Sequence, residues 1–419
     1  MKAIKLKILE LAKTNTFNVN SISYGYKFVN NVQTNELCIL FSVNQKKPIT
    51  ELLNSEIIPS SITVENQVLK TDVFEAITPE LLVCNGVCGQ NAGSNSTANR
   101  AFTRPLVGGL SITSTNLLGF VGTLGFIGVH TETQALVGVT NNHVVIQDAF
   151  YTSDRNLAGL IKNEYAPIDS VYQHGEWPPL STPPANFIVG QTLRYVPIHL
   201  ATPNKVDCAI FSVNQTDISA APISASVMQA GVAYTNPLPF ATTLEIDNLL
   251  VTNPMIYSSG RTTGPKGGVT CPMRIFALFT AFPIQYKLQG VQTFVNFQDQ
   301  ITFVKPENDP SLSTICNNPI IPGDSGSALI ADFGGVRKII GLVFASGSSG
   351  GNVLYGYANR IDNVASEMGI EEWDGTNKNY IDPSSIQYIT TVGGSTNKFI
   401  TCTTKDYWQV GLTTLINPC

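Results

Sequence analysis

Pro322-Gly323-Asp324-Ser325-Gly326-Ser327, followed by the apolar run Ala328-Leu329-Ile330, decides how this chain is read. The string sets a serine hydroxyl on a tight glycine-flanked turn ahead of a strand that a core would bury. A serine attacks a carbonyl only when a base takes its proton and when donors hold the oxyanion that forms. Glycines before and after the serine let the main chain curl enough to aim backbone N–H groups at that oxyanion. A base and an acid that orients it are therefore expected upstream.

Both are found. Val137-Gly138-Val139-Thr140-Asn141-Asn142-His143-Val144-Val145 reads as a strand ending in a polar turn that carries a histidine. Lys205-Val206-Asp207-Cys208-Ala209-Ile210-Phe211 embeds one aspartate in an apolar run. Alone, each residue has a bland reading: a histidine after a strand is usually a loop residue, and an aspartate in an apolar run is often a cap. The order His143, Asp207, Ser325 is the chymotrypsin-like order, distinct from those of subtilisins and α/β-hydrolases. The histidine would then be general base and acid, the aspartate would hold its tautomer, and the serine would attack.

Further motifs widen the match. With Asn141-Asn142-His143 go Gly260-Arg261-Thr262-Thr263-Gly264, Arg104-Pro105-Leu106-Val107-Gly108-Gly109, Gly122-Thr123-Leu124-Gly125, Leu193-Arg194-Tyr195-Val196-Pro197 and Asp299-Gln300-Ile301. From about residue 20 to about 365 the chain resembles trypsin-like serine peptidases, and among them the bacterial and plant narrow-leaf-type group. The resemblance implies a mainly β fold, a chymotrypsin-like double β-barrel, here with an N-terminal α/β accessory unit and a C-terminal extension. It implies an oxyanion hole made by the backbone N–H groups of Gly323 and Ser325. It also puts Pro319, six residues before the nucleophile, at the base of the substrate pocket. Phe344, Ala345 and Ser346 would form the wall that pairs with an extended substrate, with Phe344 narrowing the pocket. No carboxylate lies between Cys316 and Pro322, so an uncharged, apolar or small residue is expected before the cut. Arg104-Pro105 imitates a zymogen cleavage site. Proline after the arginine makes a poor scissile bond, so Asp324 is expected to bond nearby backbone or water rather than a new amino terminus.

The expected organisation is an accessory unit over residues 1–80, not a short-lived prosegment. A Gly/Asn/Ser-rich linker follows over 81–104, then a first barrel over 105–230, a second over 231–370, and an extension over 371–419. Tyr165 to Asn186, rich in proline, reads as an inserted loop. Charged residues are 13% of the chain, against roughly 25% in an average soluble protein, and the net charge of −5 carries no basic block. Partners are therefore a protein or peptide substrate, with no nucleic acid and no membrane; a homo-oligomer is left open. The first twenty residues mix lysines with apolar residues as a short amphipathic helix rather than a signal peptide. No run of eighteen apolar residues occurs, so the expected location is cytoplasmic and the eight cysteines are expected to be reduced. Cys84 and Cys88 are not spaced as a zinc knuckle, Gly260 to Gly264 lacks the ending of a phosphate loop, and no cofactor or metal is expected. The sequence points to a serine endopeptidase, with a catalytically silent binding module or an acyl hydrolase on the same scaffold as its rivals.

Overall fold

The structure is a computed structural model that describes residues 1–14, 17–29, 32–82, 97–104, 106–146, 169–175, 182–213, 238–267, 271–288, 291–304, 320–349, 353–375, 379–380, 386–389 and 398–401. Its strands fall into two large sheets, and the chain enters them in three passes. The first pass gives helix α1 (Lys2–Thr14) and strands β1 (Ser21–Val29), β2 (Val32–Val43), β3 (Ser61–Val64), β4 (Gln67–Glu75) and β5 (Glu80–Leu81). Successive side chains of a strand face opposite sides, and β2 uses both. Cys38 and Leu40 enter one apolar core, while Ile39 and Phe41 enter the other.

The second pass builds a barrel. After the short helix α2 (Thr97–Arg100) come β6 (Ser111–Ser114), β7 (Gly122–Thr123), β8 (Phe126–His130) and β9 (Leu136–Thr140). Helix α3 (Asn142–Val145), β10 (Ser170–Gln173), β11 (Ile188–Tyr195) and β12 (Ala209–Ser212) complete the pass. The sheet runs β8-β9-β12-β11-β10-β6-β7. Its two ends are joined by Leu124 and Gly125, whose N–H groups donate to the carbonyls of Leu110 and Val139, so the sheet curls onto itself. β8 and β9 have no exposed residue, as befits strands covered on both faces. β10 lies inside the stretch read from its prolines as an inserted loop, and pairs with both β6 and β11. The segment Ser170-Val171-Tyr172-Gln173 is rich enough in β-formers to add a strand between the prolines. Residues 147–168 and 176–181 are outside the described set.

The third pass carries helices α4 (Thr243–Asp247) and α5 (Leu249–Thr252) and strands β13 (Ile256–Gly260), β14 (Gly264–Gly267), β15 (Arg274–Leu288) and β16 (Val291–Val304). It continues through β17 (Ala328–Phe333), β18 (Val336–Ser349), β19 (Val353–Arg360) and helix α6 (Ile361–Met368). These strands run β14-β13-β17-β18-β19-β16-β15, and the sheet then continues into β1-β2-β4-β3. The N-terminal strands thus extend the second sheet through the pairing of β1 with β15. α1 lies on this extension with Ile4 and Ile8 buried. Its Lys5 reaches Asp299, which also receives the fully buried guanidinium of Arg360, itself held by Asp247 and Asp362. Asp299 therefore joins α1 to this buried cluster. β20 (Ile370–Glu372) returns to the first sheet beside β8, and β21 (Ile386–Ile389) pairs with β22 (Lys398–Thr401) as a separate hairpin. The mainly β, double-barrel class expected from the sequence is the one found.

Among the described cysteines Cys38 and Cys208 are free and buried, and burial pushes the Cys38 thiol up to about 12. Cys271 is disulfide-bonded, which corrects the expectation of reduced thiols; Cys84, Cys88, Cys316, Cys402 and Cys419 lie outside the described residues. No helix among the described residues is long and apolar enough to cross a membrane.

His130, at the end of β8, is buried, and burial together with the nearby Arg194 cation holds its imidazole down at about 4, against an ordinary 6.5. The unfolded chain takes up this proton first, so stability is full above pH 6.5 and falls as the pH drops toward about 4. The shift corresponds to about 3 kcal/mol. His130→Gln is expected to flatten this part of the stability curve in urea melts taken at pH 7, 6, 5 and 4.

Candidate active site

β9 and β12 are antiparallel neighbours, with Thr140 opposite Ala209. The residues just past the end of one strand and just before the start of the other therefore meet, and these carry His143, on α3, and Asp207. Ser325 comes from the second sheet, on the turn ahead of β17. His143 Nδ1 lies 2.7 Å from Asp207 Oδ2, and His143 Nε2 lies 2.7 Å from Ser325 Oγ. A carboxylate only accepts hydrogen bonds. Nδ1 therefore carries the proton toward Asp207, and Nε2 is left to accept from the serine hydroxyl.

The Asp207 carboxylate is fully buried and supplied with donors on both oxygens. Oδ1 accepts from the N–H groups of Asn142 at 2.6 Å and His143 at 3.4 Å, and Oδ2 accepts from the Tyr286 hydroxyl at 3.1 Å as well as from His143. The two asparagines before the histidine also have a local purpose. Asn141 Nδ2 donates to the Asp207 carbonyl and Asn142 Nδ2 to the Val196 carbonyl, each at 2.6 Å. Both tie the histidine turn to the chain around the aspartate. Asn359 Oδ1, from β19 of the second sheet, accepts the Asp207 N–H at 3.0 Å.

The serine turn is fixed by its own neighbours. Gly323 has φ +97° and faces the Thr262 hydroxyl, so both conformation and space call for glycine there. Asp324 is buried. Its Oδ1 accepts from the N–H groups of Thr262 and Thr263, and its Oδ2 from that of Ile321, each at 2.9 Å. Burial raises the pKa of this carboxyl, and the backbone donors oppose the rise. Gly260-Arg261-Thr262-Thr263-Gly264 is thus a cradle for a side-chain carboxylate. A Cβ on Gly260 would collide with that carboxylate. Thr123 completes the frame: its Oγ1 donates to the Gly323 carbonyl at 2.8 Å, and its N–H donates to the Ser325 carbonyl at 2.8 Å.

The Gly323 N–H, one of the two expected oxyanion donors, points into the groove and donates to the Leu82 carbonyl at 2.9 Å. The Ser325 Oγ, on the same turn, lies 3.3 Å from both the Leu82 and the Phe344 carbonyl oxygens. Phe344, Ala345 and Ser346 lie on β18 along the groove. The Phe344 ring turns away into an aromatic cluster, 4.9 Å from Phe297 and 6.2 Å from Phe282 between ring centroids, so its carbonyl, rather than its ring, faces the serine. Pro319 lies outside the described residues. Among the described residues no cluster of His, Cys, Asp and Glu could hold a metal ion. Sequence reading did not single out Tyr286, which alternates with core residues along β15, and it met Thr123 only within the Gly122-Thr123-Leu124-Gly125 motif, with no role assigned to its side chain.

No protein-family model matches the chain, and no curated protein does. Solved structures similar to it include a glutamic acid specific serine protease (13% identity, TM-score 0.36, covering 64% of this chain and 100% of that one). Others are Cellulomonas bogoriensis chymotrypsin (13%, 0.35, 64% and 98%) and Nocardiopsis protease (14%, 0.36, 64% and 98%). Overlap this low bears on neither activity nor specificity.

Two substitutions test the frame. Gly260→Ala drives a methyl group into the Asp324 carboxylate, and a loss of about 2 kcal/mol or more is expected in chemical denaturation, in the range of other disruptions of buried networks. Tyr286→Phe removes one hydroxyl donor from a buried carboxylate, a hydrogen bond worth about 1.5–3 kcal/mol. The reaction of Ser325 with a fluorophosphonate should slow about tenfold or more, with the circular dichroism spectrum unchanged.

Proposed function

We propose that the protein is a serine endopeptidase acting through an acyl-enzyme. The observation that carries the reading is the unbroken hydrogen-bonded chain Asp207-His143-Ser325, with both contacts at 2.7 Å, next to a backbone donor aimed into the groove. In the first step His143 Nε2 takes the Ser325 proton as Oγ adds to the substrate carbonyl. The oxyanion draws on the Gly323 N–H, and Asp207 steadies the imidazolium. Collapse expels the amine, which leaves with the proton held on His143. Water then enters by the same route, and the serine is regenerated with release of a carboxylic acid.

β18 favours a peptide over a simple ester: the chain's own β5 is paired with its Ala345 and Ser346, and an extended substrate taking the place of β5 would bring its carbonyl to Ser325. The Asn-Asn-His and Gly-Arg-Thr-Thr-Gly motifs support a reading within the narrow-leaf-type group. The disulfide at Cys271 fits an oxidising setting better than the cytoplasm.

The members of a triad act as one unit. Ser325→Ala and His143→Ala are each expected to lower kcat by about six orders of magnitude, and Asp207→Asn by about four, with folding retained. Hydrolysis of a peptide library by purified wild type and variants measures this. Equal turnover in wild type and Ser325→Ala would remove the mechanism.

A further inference from the structure

We propose that the protein's first substrate is its own chain, cut in cis at the peptide bond that follows Leu82. The inference rests on the endopeptidase reading and names a substrate for it. β5 pairs antiparallel with β18, Leu81 opposite Ala345 and Glu80 opposite Ser346. The next residue continues the pattern. The Leu82 N–H donates to the Phe344 carbonyl at 3.2 Å, and the Leu82 carbonyl accepts from Gly323 N–H at 2.9 Å. Ser325 Oγ stands 3.3 Å from that carbonyl oxygen while still bonded to His143. The Leu82 side chain is fully buried in an apolar core.

These are the contacts a peptide needs in order to be attacked. Its strand is aligned between β18 and β15, its apolar side chain is enclosed, its carbonyl oxygen rests on an oxyanion donor, and the Ser325 hydroxyl stands beside that oxygen. Nothing about a spacer between two domains requires them. A linker would leave its carbonyl to water or to a turn, whereas this one places it beside the reactive hydroxyl of a folded active site. The flanking structure keeps it there. β1 is paired to β15 at Ile22, Tyr24 and Gly25, and Glu80 also pairs with Gln285, so the segment is tethered on the second sheet at high effective concentration.

The step balances within the proposed chemistry. Ser325 Oγ bonds to the Leu82 carbonyl carbon and its proton passes to His143. The carbon–nitrogen bond after Leu82 breaks, and His143 returns the proton to the departing nitrogen, which becomes a new amino terminus. Water then cleaves the Leu82 ester, leaving a Leu82 carboxylate and a free Ser325. Residues 1–82 remain associated through the β1–β15 pairing and α1.

Intact-mass spectrometry of the full chain under denaturing conditions tests the proposal, run on wild type, Ser325→Ala and Leu82→Asp, with fluorophosphonate labelling of each. Wild type is expected as two co-purifying fragments, one ending at Leu82 and one beginning at Val83, formed at a rate independent of protein dilution. Ser325→Ala is expected as one uncut chain. Leu82→Asp puts a carboxylate where an apolar side chain is enclosed. It should slow the cut at least a hundredfold and open the groove, so that Ser325 still takes up the label. An uncut wild type beside a labelled Leu82→Asp overturns self-cleavage and leaves the endopeptidase reading standing. Cleavage after Leu82 in Ser325→Ala overturns the proposal by assigning the cut to another protease. Absence of label in both wild type and Leu82→Asp, with no cut, removes the endopeptidase reading and the proposal with it.

Discussion

The Asp207 carboxylate couples the two sheets, because neither alone supplies all of its donors. Withdrawing an ionised carboxylate from water costs several kcal/mol unless donors replace its hydration, and Asp207 has no exposed surface. Two of its donors, the Asn142 and His143 N–H groups, come from the first barrel. Another, the Tyr286 hydroxyl, comes from β15 in the second sheet. The aspartate is therefore satisfied only when the two sheets are docked. The same docking brings Ser325 to His143, so the hydrogen-bonded chain Asp207-His143-Ser325 is complete only when the two sheets meet.

A second buried carboxylate does for the serine turn what Asp207 does for the histidine. Asp324 draws in three backbone N–H groups, which orders the Gly260–Gly264 loop against the turn and sets the Gly323 N–H facing the groove. These amides occupy both carboxylate oxygens, so Asp324 bonds nearby backbone as expected from the sequence. What the groove holds is the chain's own β5, which joins the N-terminal strands to β18 and to the Ser325 turn.

His143, Asp207 and Ser325 were legible in the sequence because each combines a chemically informative residue with an unusual local setting, and their order narrows the fold. Asn141, Asn142 and the Gly260–Gly264 string were legible as motifs, although their work, tying one turn and cradling Asp324, shows only in three dimensions. Tyr286 was not legible, since its spacing along β15 is that of any core aromatic and its partner lies 79 residues away. The placement of the Phe344 ring followed from strand alternation and was misread because pocket and core faces of β18 look alike in sequence. Glu80 to Leu82 carried no signal at all: a short apolar piece before a glycine-rich stretch reads as a linker, and only its partners on β18 say otherwise.

In the proposed mechanism Ser325 becomes covalently acylated during turnover. Acid quenching during the first turnover of an activated peptide ester, followed by proteolysis and mass mapping, measures this directly. The account requires the acyl group on the peptide containing Ser325, and its loss in His143→Ala. An acyl group on another residue, or turnover with no acylated intermediate and no dependence on His143, would contradict it.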